Sequence, residues 1–291
     1  MPVRSPWLPL STYAREQRQR RELNARFPRC TSLVVLTAAD RSTELHVATA
    51  ASQVAWAARH NYTFVRETQP LARFENRTCP MCWSKLQWVR ELLEQTGVKQ
   101  AAGRRRCVLW LDADVLVTTP SRSLEAVLSD VSKPEGSGGS AGACAGGASL
   151  FFSGDTNVIN DGVFLVAASA WARRAFDTII GMYPASYGME HDNAAFAAFL
   201  GGCPRADRTA AQCYASVDSK KGSDAQRRIE AGGGLALVHA SRRQHVCAVP
   251  KTAWNSYPHD WAPHHFAVHF AGSRDKERLL RRIQARVALG V

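Results

Sequence analysis

A short apolar run that ends in two aspartates is the feature that most constrains how this chain can fold. Residues 108–111 (Val-Leu-Trp-Leu) have the β-preferring, continuously hydrophobic character of a strand buried on both faces. Asp112 and Asp114 follow at once, and the alternation of an extended chain points both side chains to one side. Ligands of open α/β sheets bind at the carboxyl ends of the strands, so a dense negative charge is expected at that edge of a sheet.

Two neighbouring carboxylates offer hard oxygen ligands of the kind that Mg²⁺ or Mn²⁺ prefers, with substrate phosphates completing the coordination. The competing interpretation is an ordinary turn at the end of a strand, capped by an aspartate. Asp112 and Asp114 alone do not decide between these two interpretations.

Strand and helix patterns alternate along the first 120 residues. Strands are predicted at 32–37, 62–65 and 108–111, and helices at 44–60 and 83–93. This β-α-β-α-β order predicts an α/β fold with a mainly parallel, Rossmann-like sheet flanked by helices. Further helices are predicted at 124–131, 170–182, 193–200 and 274–289, and further strands at 149–153, 162–166, 235–239 and 266–270.

The chain of 291 residues carries a formal charge of +12, mostly from scattered arginines. Residues 1–30 are interpreted as a basic tail and 31–291 as a single domain, with a flexible Gly/Ser insertion at 136–147. No nucleic-acid-binding motif accompanies the charge, so a solvated basic surface is favoured over nucleic-acid binding.

The eight cysteines include Cys79 and Cys82 in a CxxC motif, which suits either a zinc half-site or a redox pair. Cys107 lies in the apolar run and is compatible with a buried free thiol. Sequons at Asn61 and Asn76, with the even cysteine count, favour a secretory compartment. Residues 1–23 do not form a signal peptide or a membrane span, so the chain is expected to be either cytoplasmic or tethered to a membrane by a segment outside this sequence.

Two more polar groups stand at the ends of predicted strands. One is the triplet Asn160, Asp161 and Gly162, and the other is His269, which follows an apolar run and precedes small residues. Imidazole together with carboxylates makes a workable ligand set for Mn²⁺. Arg274 could neutralise a diphosphate nearby, so the implied chemistry is group transfer from a phosphate-linked donor.

The order of these motifs resembles a known family. They are His60-Asn61-Tyr62, Trp83-Ser84-Lys85, Trp110 to Asp114, Gly154-Asp155, Asn160 to Leu165, Glu190-His191-Asp192 and His269 to Gly272. Together they resemble GT-A-fold glycosyltransferases that use nucleotide sugars. The chain is most similar to the family of fungal Golgi α-galactosyl and α-mannosyl transferases and plant xyloglucan xylosyltransferases.

The resemblance implies an enzyme with Mn²⁺ (or Mg²⁺), a nucleotide-sugar donor, a glycan or glycoprotein acceptor, retention of anomeric configuration, and a Golgi or endoplasmic reticulum location. It implies a nucleotide-binding half at 31–120 and a donor-sugar and acceptor half at 148–291. The implied roles are metal binding by Asp112, Asp114 and His269, nucleotide or phosphate contact by Thr37, Lys85 and Arg274, donor-sugar contact by Asn160, Asp161 and Gly162, and catalysis by Asp192 and Glu190.

Some residues depart from the family pattern. Asp161, His191 and Arg274 stand where a small residue or Thr, a Gln and a Lys are more usual. These departures concern the sugar preference more than the reaction class. Glu190 and Asp192 could instead merely cap the helix that follows them.

Two other functions compete with the transferase. A phosphohydrolase of the haloacid-dehalogenase type also uses Asp-x-Asp after an apolar strand, although there the pair normally follows the first strand. The other is an inactive, glycan-binding relative of the transferases. The donor sugar, the nucleotide base and the acceptor are not determined by the sequence.

Overall fold

The computed structural model of the chain describes residues 29–40, 42–71, 73, 79–94, 104–131, 148–154, 159–182, 192–201 and 238–289. The predicted tail before Arg29, the Gly/Ser insertion at 136–147 and Glu190 lie outside these residues.

The described part of the chain is an α/β structure. Its strands are β1 (Arg29–Ala38), β2 (Thr63–Glu67), β3 (Arg104–Leu111), β4 (Val115–Val117), β5 (Leu150–Ser153), β6 (Asn160–Ala167), β7 (Val246–Val249) and β8 (Ala267–His269). Its α-helices are α1 (Glu44–Arg59), α2 (Pro80–Glu94), α3 (Leu124–Val131), α4 (Ala170–Gly181), α5 (Asp192–Leu200), α6 (Lys251–Trp254) and α7 (Lys276–Leu289). None of the described helices is long and apolar enough to cross a membrane.

Six strands form the central sheet in the order β2-β1-β3-β6-β5-β7, and β4 pairs with β8 in a separate two-stranded sheet. Strands β2, β1 and β3 run parallel, β6 is antiparallel to both β3 and β5, and β7 is parallel to β5. The prediction of a mostly parallel sheet flanked by helices is confirmed.

Apolar side chains cover both faces of this sheet. Helices α2, α4 and α5 bury Leu86, Phe176 and Phe196 against one face, and α1, α3 and α6 bury residues such as Trp56 and Trp254 against the other. A third cluster packs α7 against α1 and the β4–β8 pair. Because both faces of the sheet are buried, the sequences of the central strands are continuous apolar runs.

One late strand was not predicted from the sequence. Of the strand expected at 235–239, residues 235–237 lie outside the described part of the chain; Val238 and His239 belong to no strand, and His239 caps a 3₁₀-helix at Ala240–His245. The strand that was not predicted is β7, four buried residues that pair with β5 at the end of the sheet. A run this short has no usable periodicity, so its pairing across about 95 residues of sequence could not be recognised locally.

Disulfides overturn the free-thiol interpretation of Cys107 and, of the two interpretations of the CxxC motif, favour the redox pair. Cys107 is not a free thiol, because it bonds to Cys30 across the neighbouring strands β1 and β3. Cys79 and Cys82 bond to each other at the start of α2, which leaves neither of them as a zinc ligand in this state. Cys247 is also disulfide-bonded, and none of the described cysteines is free.

Candidate functional site

Three predicted metal ligands converge where β3 ends. Asp112 follows β3 directly, Asp114 precedes β4, and His269 is the last residue of β8. The antiparallel pairing of β4 with β8 sets Val115 opposite His269 and so brings the imidazole to the aspartates. His269 Nε2 lies 3.1 Å from Asp114 Oδ1 and 3.5 Å from Asp112 Oδ2.

The spacing of these atoms fits a divalent cation. One ligand atom from each of Asp112, Asp114 and His269 lies within 4.8 Å of the others. Adjacent ligands of an octahedral ion at about 2.1 Å stand about 3 Å apart, close to the separations seen here. Two carboxylate oxygens and one imidazole nitrogen suit Mn²⁺ or Mg²⁺, so the residues fit the ion that the motif order implied.

His269 is held from behind by β6. Its Nδ1 lies 3.2 Å from Asn160 Oδ1, and the same amide oxygen accepts from Gly162 N at 3.0 Å. The Asn160 amide nitrogen donates to the hydroxyl of Tyr257 at 2.9 Å. Gly162 packs directly under the imidazole, since a Cβ there would lie 2.1 Å from His269 Cε1. Asn160 and Gly162 therefore shape the position of His269.

A second charged cluster adjoins the first. Lys85 on α2 is 3% exposed, and its Nζ lies 2.5 Å from Asp192 Oδ2, 2.9 Å from Asp161 Oδ2 and 3.7 Å from Asp112 Oδ1. Asp192 begins α5, and Asp161 lies on β6. The ammonium of Lys85 thus joins the metal group to two buried carboxylates.

The two clusters together have more acidic than basic groups. Four carboxylates, those of Asp112, Asp114, Asp161 and Asp192, face two ammonium groups, those of Lys85 and Lys276. When all six are ionised and His269 is neutral, as a metal ligand must be, two negative charges remain. A divalent cation beside Asp112 and Asp114 would compensate that charge.

Neighbouring charges shift the pKa values of the three candidate ligands. Burial would raise the pKa of Asp114, but His269 and Lys276 hold it well below its ordinary value. Burial raises the pKa of Asp112, against the opposing effects of Lys85 and His269. Burial lowers the pKa of His269, yet the charges of Asp114 and Asp112 outweigh burial and raise it. The aspartate charges therefore favour a cation at the His269 Nε2 position.

Burial and neighbouring charges also compete in setting the pKa values of Asp161 and Lys85 in the second cluster. Burial and the charge of Asp192 raise the pKa of Asp161 to about 7, although Lys85 acts in the opposite direction. Burial would lower the pKa of Lys85, but Asp112, Asp161 and Asp192 raise it above its ordinary value, so Lys85 stays charged. Its partners explain how a lysine can be fully buried here.

The basic side chain that contacts the metal group is one that the sequence did not single out. Arg274 is exposed, whereas Lys276, at the start of α7, donates to Asp114 Oδ2 at 2.9 Å. Nothing in the local sequence distinguishes Lys276 from its basic neighbours. Lys85, expected to contact phosphate, is instead enclosed by carboxylates.

Thr37 lies at the same edge of the sheet. It is the penultimate residue of β1, beside the end of β3, and its Oγ1 is buried and has no hydrogen-bond partner among the described residues. Trp83, from the motif that includes Lys85, is 2% exposed within the core.

Sequence reasoning missed Tyr257 and the contribution of Trp110. Tyr257 reaches Asn160 from the segment between α6 and β8, and the indole nitrogen of Trp110 donates to Asp112 Oδ1 at 2.6 Å. The sequence places Trp110 in the predicted strand and in the motif that ends at Asp114, without a role of its own. The one feature of the local sequence that could have indicated this contact is that Trp110, a hydrogen-bond donor, stands two residues before Asp112.

No protein-family model and no curated protein matches the chain. Among solved structures, the chain is similar to a glycosyltransferase involved in the glycosylation of the major capsid of PBCV-1. The two chains are 12% identical, with a TM-score of 0.49 over 87% of this chain and 99% of the other.

Proposed function

We propose that this chain is a metal-dependent glycosyltransferase that moves a hexose or pentose from a nucleotide sugar to a glycan or glycoprotein acceptor, with retention of configuration. The observation that carries the proposal is the convergence of Asp112, Asp114 and His269 at the carboxyl end of β3. The adjoining buried carboxylates and the order of motifs in the sequence support it.

In this proposal Asp112, Asp114 and His269 hold Mn²⁺ or Mg²⁺. When bound, the ion supplies Lewis-acid stabilisation of the negative charge that develops on the departing nucleoside diphosphate. Lys276, whose ammonium group contacts Asp114, also offers its positive charge to a phosphate oxygen of the donor. Arg274, which is exposed at the surface, offers a second positive charge. Thr37 offers its unsatisfied hydroxyl to the nucleotide.

The donor sugar is assigned to the side of the metal group where Asp161, Gly162 and Asp192 lie. Asp192 is assigned the stabilisation of the positive charge that forms on the sugar ring, and Glu190 is assigned a supporting catalytic role. Lys85 fixes the position of Asp192 through its 2.5 Å contact. A preorganised carboxylate of this kind needs no rearrangement during the reaction.

The disulfides bear on where the protein works. Disulfides persist in oxidising compartments and are rare in the cytosol, so the Cys30–Cys107 and Cys79–Cys82 bonds support the lumen of the Golgi or endoplasmic reticulum. The cytoplasm is the alternative location.

The first test is a screen of sugar nucleotides for hydrolysis with Mn²⁺ and with EDTA. We expect one or a few donors to be hydrolysed only with the metal. Asp114→Ala should lower this turnover by about a hundredfold or more, because it removes a ligand and the partner of Lys276. Asp177→Ala, at an exposed aspartate on α4 that pairs with Arg90, is the matched control and should keep full turnover.

Other outcomes would favour the competing functions. Metal-dependent binding of a nucleoside diphosphate without turnover of any donor would indicate a binding protein. Release of phosphate from simple phosphoesters, with trapping by aluminium fluoride, would indicate a phosphohydrolase. Full turnover in Asp114→Ala would refute the metal assignment.

A further inference from the structure

We propose that Asn160 is a positioning residue that fixes the tautomer and ring orientation of His269, and that Tyr257 anchors Asn160 for this purpose. The inference rests on the proposed metal site, and it differs from the sugar-contact role that the sequence suggested for Asn160.

The first step is the direction of the hydrogen bond between Asn160 and His269. The Asn160 amide oxygen already accepts from the backbone N–H of Gly162, and the amide nitrogen donates to the Tyr257 hydroxyl. These two contacts orient the amide and leave its oxygen facing His269 Nδ1 at 3.2 Å. Because a carbonyl oxygen can only accept, His269 Nδ1 must carry a proton.

The second step concerns the other ring nitrogen. With Nδ1 protonated, Nε2 is the nitrogen that can give up its proton to a metal ion, and its lone pair then points to the place between Asp112 and Asp114 where the ion would lie. Histidines that ligate metals usually donate from the second nitrogen to a fixed acceptor, which sets ring orientation and raises ligand basicity. Asn160 supplies that acceptor here.

The third step is that the surroundings leave His269 little freedom. Gly162 lies under the ring, and the His269 backbone N–H donates to Ser256 O at 2.8 Å. Tyr257 follows Ser256 directly, so the segment that holds the His269 backbone also carries the anchor for Asn160. Backbone and ring are thus oriented by one short segment together with β6.

The fourth step is burial. Asn160 is 3% exposed, and both ends of its amide are engaged. A sugar hydroxyl would have to displace Tyr257 or His269 to reach it. The amide is therefore better placed to orient the metal ligand than to contact the donor.

The test measures Mn²⁺ affinity by calorimetry on the full chain without nucleotide. The hydrogen bond of His269 Nδ1–H is followed by NMR of ¹⁵N-histidine-labelled protein saturated with diamagnetic Mg²⁺, where Nε2 is deprotonated. His269→Gln assigns the NMR signal. Asn160→Ala should weaken Mn²⁺ binding by about 10- to 100-fold and shift the Nδ1–H signal upfield, because the proton loses its acceptor. Asn160→Asp keeps the acceptor and should retain affinity and signal, and Tyr257→Phe should show a smaller loss of affinity than Asn160→Ala.

Asn193→Ala is the matched control. Asn193 is a neighbouring asparagine whose amide oxygen accepts from Asp161 N at 3.2 Å. The variant should bind Mn²⁺ as the wild type does. Equal weakening in Asn193→Ala and Asn160→Ala would show a general disturbance and overturn the proposal.

Two failures can be told apart. If the wild type does not bind Mn²⁺, or His269→Ala binds it equally well, the metal site itself is wrong and the inference falls with it. If His269→Ala loses binding while Asn160→Ala keeps the wild-type affinity and Nδ1–H signal, the metal site stands and the positioning role is overturned. Should Asn160→Ala not fold, an unchanged affinity and an unchanged Nδ1–H signal in Tyr257→Phe overturn the proposal.

Discussion

Gly162 has no room for a side chain, because the imidazole of His269 occupies the place that a Cβ would take. The separation from His269 Cε1 would be 2.1 Å, far inside van der Waals contact. The imidazole is not free to withdraw, since it is held between Asn160 and Asp114. At the scale of single residues, this close approach explains why glycine follows Asn160 and Asp161.

We therefore expect Gly162→Ala to displace His269, to destabilise the fold by about 1–3 kcal/mol, and to weaken Mn²⁺ binding. Gly272→Ala is the matched control: it has open space around the new Cβ but a φ of 63°, so it should cost about 1 kcal/mol in backbone strain without changing metal affinity. Urea unfolding and calorimetry measure the two effects. Wild-type affinity in Gly162→Ala would contradict the packing argument.

The buried carboxylates predict a pH dependence. Burial and Asp192 raise the pKa of Asp161 to about 7, whereas an unfolded aspartate titrates near 3.9. Between these values the folded protein binds more protons than the unfolded chain, so this contribution to stability is full below about pH 4 and is lost as the pH rises through 7.

Asp161→Asn should remove that contribution. Urea unfolding with EDTA between pH 4.5 and 7 should show that the stability of the wild type, relative to the variant, falls with pH by at most about 1.4 kcal/mol per pH unit. Because both proteins contain the same histidines, the contribution of histidine titration cancels when the two stabilities are subtracted. Parallel curves would mean that Asp161 titrates normally in the fold.

At the scale of elements, α1 holds the turn that carries the aspartates. The Gln53 amide donates to Asp112 O at 3.1 Å and to Val115 O at 2.8 Å, and the Thr49 hydroxyl donates to Ala113 O. Gly162 O accepts from Asp112 N at 2.8 Å on the other side. The turn between β3 and β4 is thus fixed by a helix and a neighbouring strand.

The disulfide between β1 and β3 gives the elements a covalent constraint. Cys30 and Cys107 are 77 residues apart, so opening this bond should cost about 4–5 kcal/mol in the chain-entropy description, whereas opening Cys79–Cys82 should cost about 2 kcal/mol. Urea unfolding of the two double Cys→Ser variants measures both. Equal losses would show that loop length does not control the effect.

At the scale of the whole molecule, the site lies where elements distant in sequence meet. Asp112 and Asp114 lie in the turn between β3 and β4, while Lys85, Asn160, Asp192 and His269 come from four other elements. Sheet order brings them together, since β6 lies beside β3, and the β4–β8 pair returns His269 to the aspartates. A mutation in any one of these elements can therefore alter the site.

The sequence by itself determined the alternation of strands and helices, most element boundaries and the acidic pair at the end of β3. These properties depend on periodicity and local hydrogen bonding, which a short window of sequence reports. It also singled out His269, from its place at the end of an apolar run, and the motif order grouped it with the aspartates.

Only the tertiary structure decided which partner each polar residue has. It enclosed Lys85 among carboxylates, placed Lys276 rather than Arg274 on Asp114, and turned Asn160 toward His269. It also paired Cys107 with Cys30 and formed β7. Such contacts join residues tens to more than a hundred positions apart, and the side chains involved have no local spacing that distinguishes them from their neighbours.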